Sequence, residues 1–178
     1  MAIRPAKCVR DGEKVAWTRH SKKKPRKSYI RTMPHKDLNQ QRMGVDKDTY
    51  DAAYHLVCRN DKLIIRDNAM EAARQSANKV LEDAMPANYF FLVRVYPHHV
   101  IRENKMVAGA GADRIQKGMR RAFGKPMDRA VRLKKNQKLL SVYVKKSEIS
   151  ENAVKEAFRR ARMKLSGKFS MVEGGTDS

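Results

Sequence analysis

"DNAMEAARQSANKVLEDAMP", residues 67–86, is the stretch on which the reading of the fold turns. Ala69, Ala72, Ala73, Val80, Leu81 and Ala84 recur there at helical spacing, which places them on one side of an amphipathic helix. Asn68 with Glu71 three residues on has the form of a capping box, and Pro86 follows the end. Alanine makes this face narrow, suited to close packing on a sheet. Upstream, "YDAAYHLVCRNDKLIIR" at 50–66 predicts two short strands around an Asn60-Asp61 turn. Downstream, "YFFLVRVYPHHV" at 89–100 is rich in aromatic and β-branched residues and predicts another strand.

Further along, "RAVRLKKNQKLLSVYVKK" at 129–146 predicts a hairpin turning near Asn136. "SENAVKEAFRRARMKL" at 150–165 predicts a second helix, with Ser150 as its N-cap. It lines up Val154, Ala157, Phe158, Ala161 and Leu165 on one face. The tail "SMVEGGTDS" is small and polar and is expected to fray. Strands interleaved with two helices make an α+β domain.

The chain has 178 residues, room for one domain with extensions. Its 40 Lys and Arg against 19 Asp and Glu give a net charge of +21 and a pI near 10.3. Such a field concentrates polyanions, and nucleic acid is the leading partner class. A membrane partner is not expected. The longest apolar run, 89–93, breaks at Arg94, far short of the ~20 residues that a spanning helix needs. The opening "MAIRPAKCVRDGEK" has no apolar segment of the kind a secretory signal requires. Cys8 and Cys58 are far apart, which fits a reducing cytosol and argues against a disulfide scaffold or cysteine-rich zinc site.

The excess charge is segregated. Residues 1–36 carry 12 Lys/Arg and 2 acids, and residues 102–146 carry 14 and 3. Between them, 37–101 carry 8 and 9; after them, 147–178 carry 6 and 5. Two basic blocks around a nearly neutral middle suggest two contact surfaces for a polyanion. The first block, with "TRHSKKKPRKSYIRTMPHK" at 18–36, has few apolar anchors: Trp17, Tyr29, Ile30 and Met33. It reads as an extension that orders on binding, and its aromatics among cations suit RNA stacking or a pin to the core.

The second block contains "RENKMVAGAGADRIQKGMRRAFGKP" at 102–126. As a dinucleotide fingerprint it fails, because Arg114 stands where the third glycine belongs. As a phosphate-binding P-loop it also fails: five residues separate Gly118 from Gly124, and Pro126 replaces the metal-holding hydroxyl. It reads better as a mobile basic loop feeding a short helix. Asp113 favours the first turn; Ile115, Met119, Ala122 and Phe123 form an apolar stripe; Arg114, Lys117 and Arg121 line another side. No acid pair, Ser-His-Asp set or activated cysteine has convincing spacing. His98 and His99 are adjacent on a strand and point to opposite faces, so no metal site is expected. Cys58 reads as a buried, inert thiol.

The run "RVYPHHVIRENKM" followed by "GAGADRIQKGMRRAFGKP" closely resembles a universal large-ribosomal-subunit protein family, called L-sixteen in bacteria and L-ten-e in archaea and eukaryotes. "EAARQSANKVLE", "VRLKKNQKLLSV" and "EAFRRARMKL" continue the match. "RPAKC", "TRHSKKKPRKSYIR" and Met43-Gly44 fit more loosely, so the resemblance covers about residues 2–173. "MVAGAGADR" has the archaeal form, and the sequence ends where eukaryotic members continue.

The resemblance implies an α+β fold: a hammerhead-type mixed sheet with two packed helices, a basic N-terminal extension and a long basic internal loop. The expected boundaries are an extension at 1–44, an RNA-binding domain at 45–168 and a short tail at 169–178. It implies a structural constituent of the cytoplasmic large ribosomal subunit, with no catalytic residues, no cofactor and no homo-oligomer. The implied partners are large-subunit ribosomal RNA, tRNA in the A/P-site region near the peptidyl transferase centre, and neighbouring large-subunit proteins.

The expected RNA-binding residues begin in the extension with Arg4, Lys7, Arg19, Lys22, Lys23, Lys24, Arg26, Lys27 and Arg31. They continue with His98, His99, Lys117, Arg120, Arg121, Lys125, Lys134 and Lys135. Arg102, Asn104, Lys105, Met106, Gly109, Gly111 and Arg114 would form the loop nearest tRNA.

Overall fold

The computed structural model describes residues 33–105, 109–111 and 124–174. Eight strands and two helices run through them: β1 Arg42–Gly44, β2 Ala52–Cys58, β3 Lys62–Arg66, α1 Asp67–Ala84, β4 Tyr89–Val93, β5 His99–Glu103, β6 Lys125–Lys134, β7 Lys138–Val144, α2 Glu148–Lys164 and β8 Phe169–Gly174. The α+β class is as the sequence indicated. The strands form a five-stranded sheet, β1-β4-β7-β2-β8, and a three-stranded sheet, β3-β6-β5. Every pairing among the described residues is antiparallel.

The register joins the two sheets. β2 pairs with β7 from Ala52↔Val144 to Val57↔Lys138, and β3 pairs with β6 from Lys62↔Lys134 to Arg66↔Ala130. The chain from 52 to 66 therefore runs against 144 to 130 as one bent ribbon. β4 and β5 flank the same two strands, β7 and β6, on the other side. The bend is stitched by the Asn136 amide donating to the Cys58 carbonyl at 2.8 Å and the Cys58 amide donating to the Gln137 carbonyl at 3.1 Å. Asn136 takes a φ of 62° there, a conformation that asparagine tolerates better than most residues.

This corrects two sequence readings. The two strands predicted around Asn60-Asp61 are present as β2 and β3, but the Asn136 turn does not close a hairpin; both turns carry the chain from one sheet to the other. The predicted strand at 89–100 is likewise two strands, β4 and β5, interrupted between Val93 and His99.

The larger sheet presents Ala52, Tyr54, Leu56, Cys58, Phe91, Val93, Leu140, Val142 and Val144 to the helices, all buried. α2 buries the predicted Val154, Ala157, Phe158 and Ala161, and Leu165 follows at its cap. α1 buries Met70, Ala73, Ala77 and Leu81, and packs chiefly against α2. Its alanines thus permit close helix–helix approach more than close seating on the sheet. Cys58 is a buried free thiol, its pKa pushed up by burial.

Both helix starts differ from expectation. The N-cap of α1 is Arg66, with no side-chain cap bond, so Asn68 and Glu71 form no capping box. Glu71 instead accepts from Arg74 Nε at 2.8 Å, Arg74 Nη2 at 2.5 Å, Gln75 Nε2 at 2.9 Å and the Asn39 amide at 3.3 Å. The N-cap of α2 is Ser147, not Ser150; the amide of each donates to the hydroxyl oxygen of the other, as a capping box.

The core extends beyond the expected boundaries. Leu38 and Met43 are buried, and β1 pairs with β4, so part of the expected extension belongs to the folded unit. The tail does not simply fray: β8 pairs with β2 from Ala53↔Gly174 to Cys58↔Phe169.

Candidate nucleic-acid interface

The strands of the smaller sheet carry most of the strand charge. β3, β5 and β6 contain seven Lys/Arg and two acids, whereas the five strands of the larger sheet contain two and one. Alternation explains how a basic sheet can still have a core face. Leu63 and Ile65 pair with Leu133 and Val131, and all four join the apolar core. On the opposite face, Lys62 pairs with Lys134 and Ile64 with Arg132.

At one end of this sheet, β5 and β6 converge to form the neck of the segment between them. Arg102 is opposite Pro126 and Glu103 is opposite Lys125. Arg102 Nη1 donates to the Gly124 carbonyl at 3.1 Å. A Cβ on Gly124 would lie 2.3 Å from the Glu103 carbonyl carbon and 2.5 Å from the Asn104 nitrogen, so the neck closes only on glycine. The sequence reading weighed Gly124 only as a failed P-loop glycine and did not find this role.

Of the residues expected beside tRNA, Arg102 and Asn104 are half-buried in the neck, and Lys105 is exposed just beyond it. Gly109 and Gly111 are exposed, with φ of 143° and 79° and nothing within 4 Å of either built Cβ. Met106, Arg114, Lys117, Arg120 and Arg121 lie outside the described residues. So do Arg4, Lys7, Arg19, Lys22, Lys23, Lys24, Arg26, Lys27 and Arg31.

Lys125 is exposed at the neck, and Lys134 and Lys135 are exposed at the far end of β6. His98 and His99 separate as strand geometry requires. His98 is exposed and packs its ring 4.5 Å from Tyr96, whereas His99 is 6% exposed and fills the interior. A buried imidazole is poorly placed for direct RNA contact, which corrects its expected role toward packing. Around Tyr96, Lys36 Nζ sits 5.4 Å from the ring centroid, and Arg129 donates to the Tyr96 hydroxyl at 3.2 Å and to the Pro34 carbonyl at 2.8 Å. These bonds make Arg129 a brace between β6 and the segment entering the core.

One acidic group lies beneath the sheet. Asp37, Asp67 and Asp128 bring carboxylate oxygens within 4.8 Å of one another. Asp67 accepts from the Asp37 and Asn68 amides, each at 2.9 Å, and Arg66 lies 3.5 Å from Asp128. Burial first, then the hydrogen bond and charge of Asp67, push the Asp128 carboxyl up to about 6. The group carries its own donors and counter-charge, as a structural junction does.

Comparison with known proteins decides what this scaffold is. The profile of the family described as ribosomal protein L16p/L10e matches residues 16–172. The chain belongs to the L16p/L10e family of ribosomal proteins. It is 42% identical to large ribosomal subunit protein uL16 of Methanococcus aeolicus, over 98% of this chain and 95% of that protein. The protein of the same name from Hyperthermus butylicus is 43% identical over 93% of this chain and 89% of its own length. For that of Archaeoglobus fulgidus the figures are 43%, 84% and 84%. Membership in the L16p/L10e family, of archaeal type, makes this a structural protein of the large ribosomal subunit and not an enzyme. The nucleotide-fold readings of the glycine-rich stretch are set aside with it. No helix among the described residues is long and apolar enough to cross a membrane.

Proposed function

We propose that the protein binds large-subunit ribosomal RNA beside the tRNA sites and helps position tRNA near the peptidyl transferase centre. The observation that carries this reading is the neck at Arg102–Asn104 and Gly124–Lys125. There a core-anchored sheet extends a long segment whose sequence holds seven Lys/Arg between 102 and 126. A rigid base and a slim tip with exposed Gly109 and Gly111 suit insertion among phosphates. The role is positional: cation–phosphate contacts fix register and orientation while carrying little sequence information. The N-terminal cations, Lys117, Arg120, Arg121, Lys125, Lys134 and Lys135 hold ribosomal RNA in this reading. Arg102, Lys105 and Arg114 stand nearest tRNA.

The test is site-directed photo-crosslinking in intact large subunits loaded with tRNA. Lys105→Cys, carrying a short photo-crosslinker, should capture the acceptor end of tRNA or adjoining ribosomal RNA. The same probe at Lys145, on the core side, should not capture tRNA. Crosslinks from position 105 exclusively to proteins would overturn the tRNA part of the proposal.

A further inference from the structure

Three connections far apart in sequence meet at one corner of the fold, at the opposite end of β6 from the neck. The first joins β2 to β3, the second joins β6 to β7, and the third joins α2 to β8. Arg59 is their fastener: its Nε donates to Ser170 Oγ at 2.6 Å and its Nη1 to Asn136 Oδ1 at 3.2 Å. The Arg59 amide donates to the Lys168 carbonyl at 2.9 Å, and the Lys168 amide donates to Asn60 Oδ1 at 2.7 Å. Gly167 makes the third connection possible, since a φ of 105° strains any residue that carries a side chain, and a built Cβ would also crowd Leu63 Cδ2 at 2.6 Å.

This corner gathers Lys62, Lys134, Lys135, Lys138 and Lys168, and the single acid on the three connections is Asp61. Lys62 and Lys134 are direct cross-strand partners, which gathers positive charge at this end of the sheet. The Lys135–Asp61 pair, at 3.5 Å, is exposed on both sides and contributes little. The nearby Arg162 and Lys164 lie in the last turn of α2, where the helix dipole already favours cations.

β6 separates this corner from the neck. It has ten residues, so the two ends are about 30 Å apart at ~3.3 Å per residue. It is held on both sides, by β5 toward the neck and by β3 toward the corner. A strand so braced is a stiff spacer.

We propose that this three-connection corner is a second RNA-binding surface, taking the phosphate backbone of a ribosomal RNA segment distinct from the one at the neck, so that β6 braces two RNA segments at a fixed distance. The proposal rests on the RNA-binding reading above. It adds Lys62 and Lys168, which come from nearly neutral stretches of sequence, and Lys138 to Lys134 and Lys135.

The test uses the full chain and protein-free large-subunit ribosomal RNA, read by hydroxyl-radical footprinting and by the salt dependence of binding. The parent should protect two separate RNA stretches. Combined Lys62→Gln, Lys134→Gln, Lys135→Gln and Lys168→Gln should abolish one stretch and flatten the log–log salt slope by about 3, at roughly 0.7–0.9 per phosphate. Combined Arg102→Gln, Lys105→Gln and Lys125→Gln should remove only the other. The exposed pair Lys135→Gln and Lys168→Gln gives the same reading at smaller amplitude if the fourfold variant does not fold. A corner variant that keeps the parent's slope and both protected stretches would overturn the corner while leaving RNA binding intact. One stretch sensitive to both sets would overturn the brace. A parent that binds no ribosomal RNA would instead overturn the underlying function.

Discussion

The two sheets share three continuous lengths of chain, yet they differ in what covers and charges them. The larger sheet lays one whole face under α1 and α2, and its strand β2, between β7 and β8, is buried from Ala52 to Cys58. The smaller sheet keeps a narrower apolar face and spends its remaining positions on cations, including the Lys62–Lys134 pair. One half therefore supplies stability and the other supplies contact. The covalent continuity between them means that the contact surfaces are positioned by the core without depending on its chemistry.

That contrast can be broken most forcefully from the core side. Phe158, 2% exposed, is the largest apolar residue that α2 buries, and Phe158→Ala should cost about 4 kcal/mol in chemical denaturation of the free protein. Next comes the Glu71–Arg74 pair, both residues 8% exposed. Glu71→Ala strands a buried guanidinium and the Asn39 amide, and should cost about 3 kcal/mol. Hydrogen bonding from Arg74 holds the Glu71 carboxyl below its ordinary range. Its contribution is therefore full above the unfolded carboxyl pKa and is lost as pH falls through the folded value. The stability gap between parent and variant should shrink on acidification, which a denaturation series across pH will show.

At the neck, Gly124→Ala should cost about 2 kcal/mol because the added methyl meets backbone, not a yielding side chain. It should also weaken RNA binding by displacing the base of the loop. A variant as stable as the parent would mean that the neck is looser than its register. The smallest effect expected is at Asp128, whose pKa is raised, so the sign reverses. Between about 4 and 6 the folded state keeps a proton that the unfolded state releases, and stability falls as pH rises. Asp128→Asn should remove that slope, which is at most about 1.4 kcal/mol per pH unit within the window. An unchanged slope would mean that Asp128 is charged throughout.

Much of this was legible in the sequence because it is local. Helical spacing located α2 and its buried face, since an apolar stripe is set by a 3.6-residue period within one segment. The same reading found α1 but mistook its start. Glu71 looks like a capping residue in one dimension and serves a buried Arg74 and the Asn39 amide in three. Turn chemistry correctly marked Asn60-Asp61 and Asn136, yet a turn signal says where a strand ends and not which strand it will pair with. The hairpin reading at Asn136 failed there, because β7 and β6 found their partners in β2 and β3, across more than sixty residues. His99 was misread for a related reason: its exposure depends on the opposite side of a sheet that its neighbours in sequence do not define.

By itself the sequence determined the α+β class, the segregation of charge into contact segments, and a family resemblance strong enough to set the function class. Each is written in composition, short-range period or contiguous motif. Only the tertiary structure decided that two turns are bends in one ribbon, that Gly124 closes the neck, and that lysines from nearly neutral stretches join Lys134 and Lys135 at one corner. Those outcomes depend on long-range register and on backbone approach between distant segments. Pairwise geometry of that kind is fixed by the whole core and by no single stretch of chain.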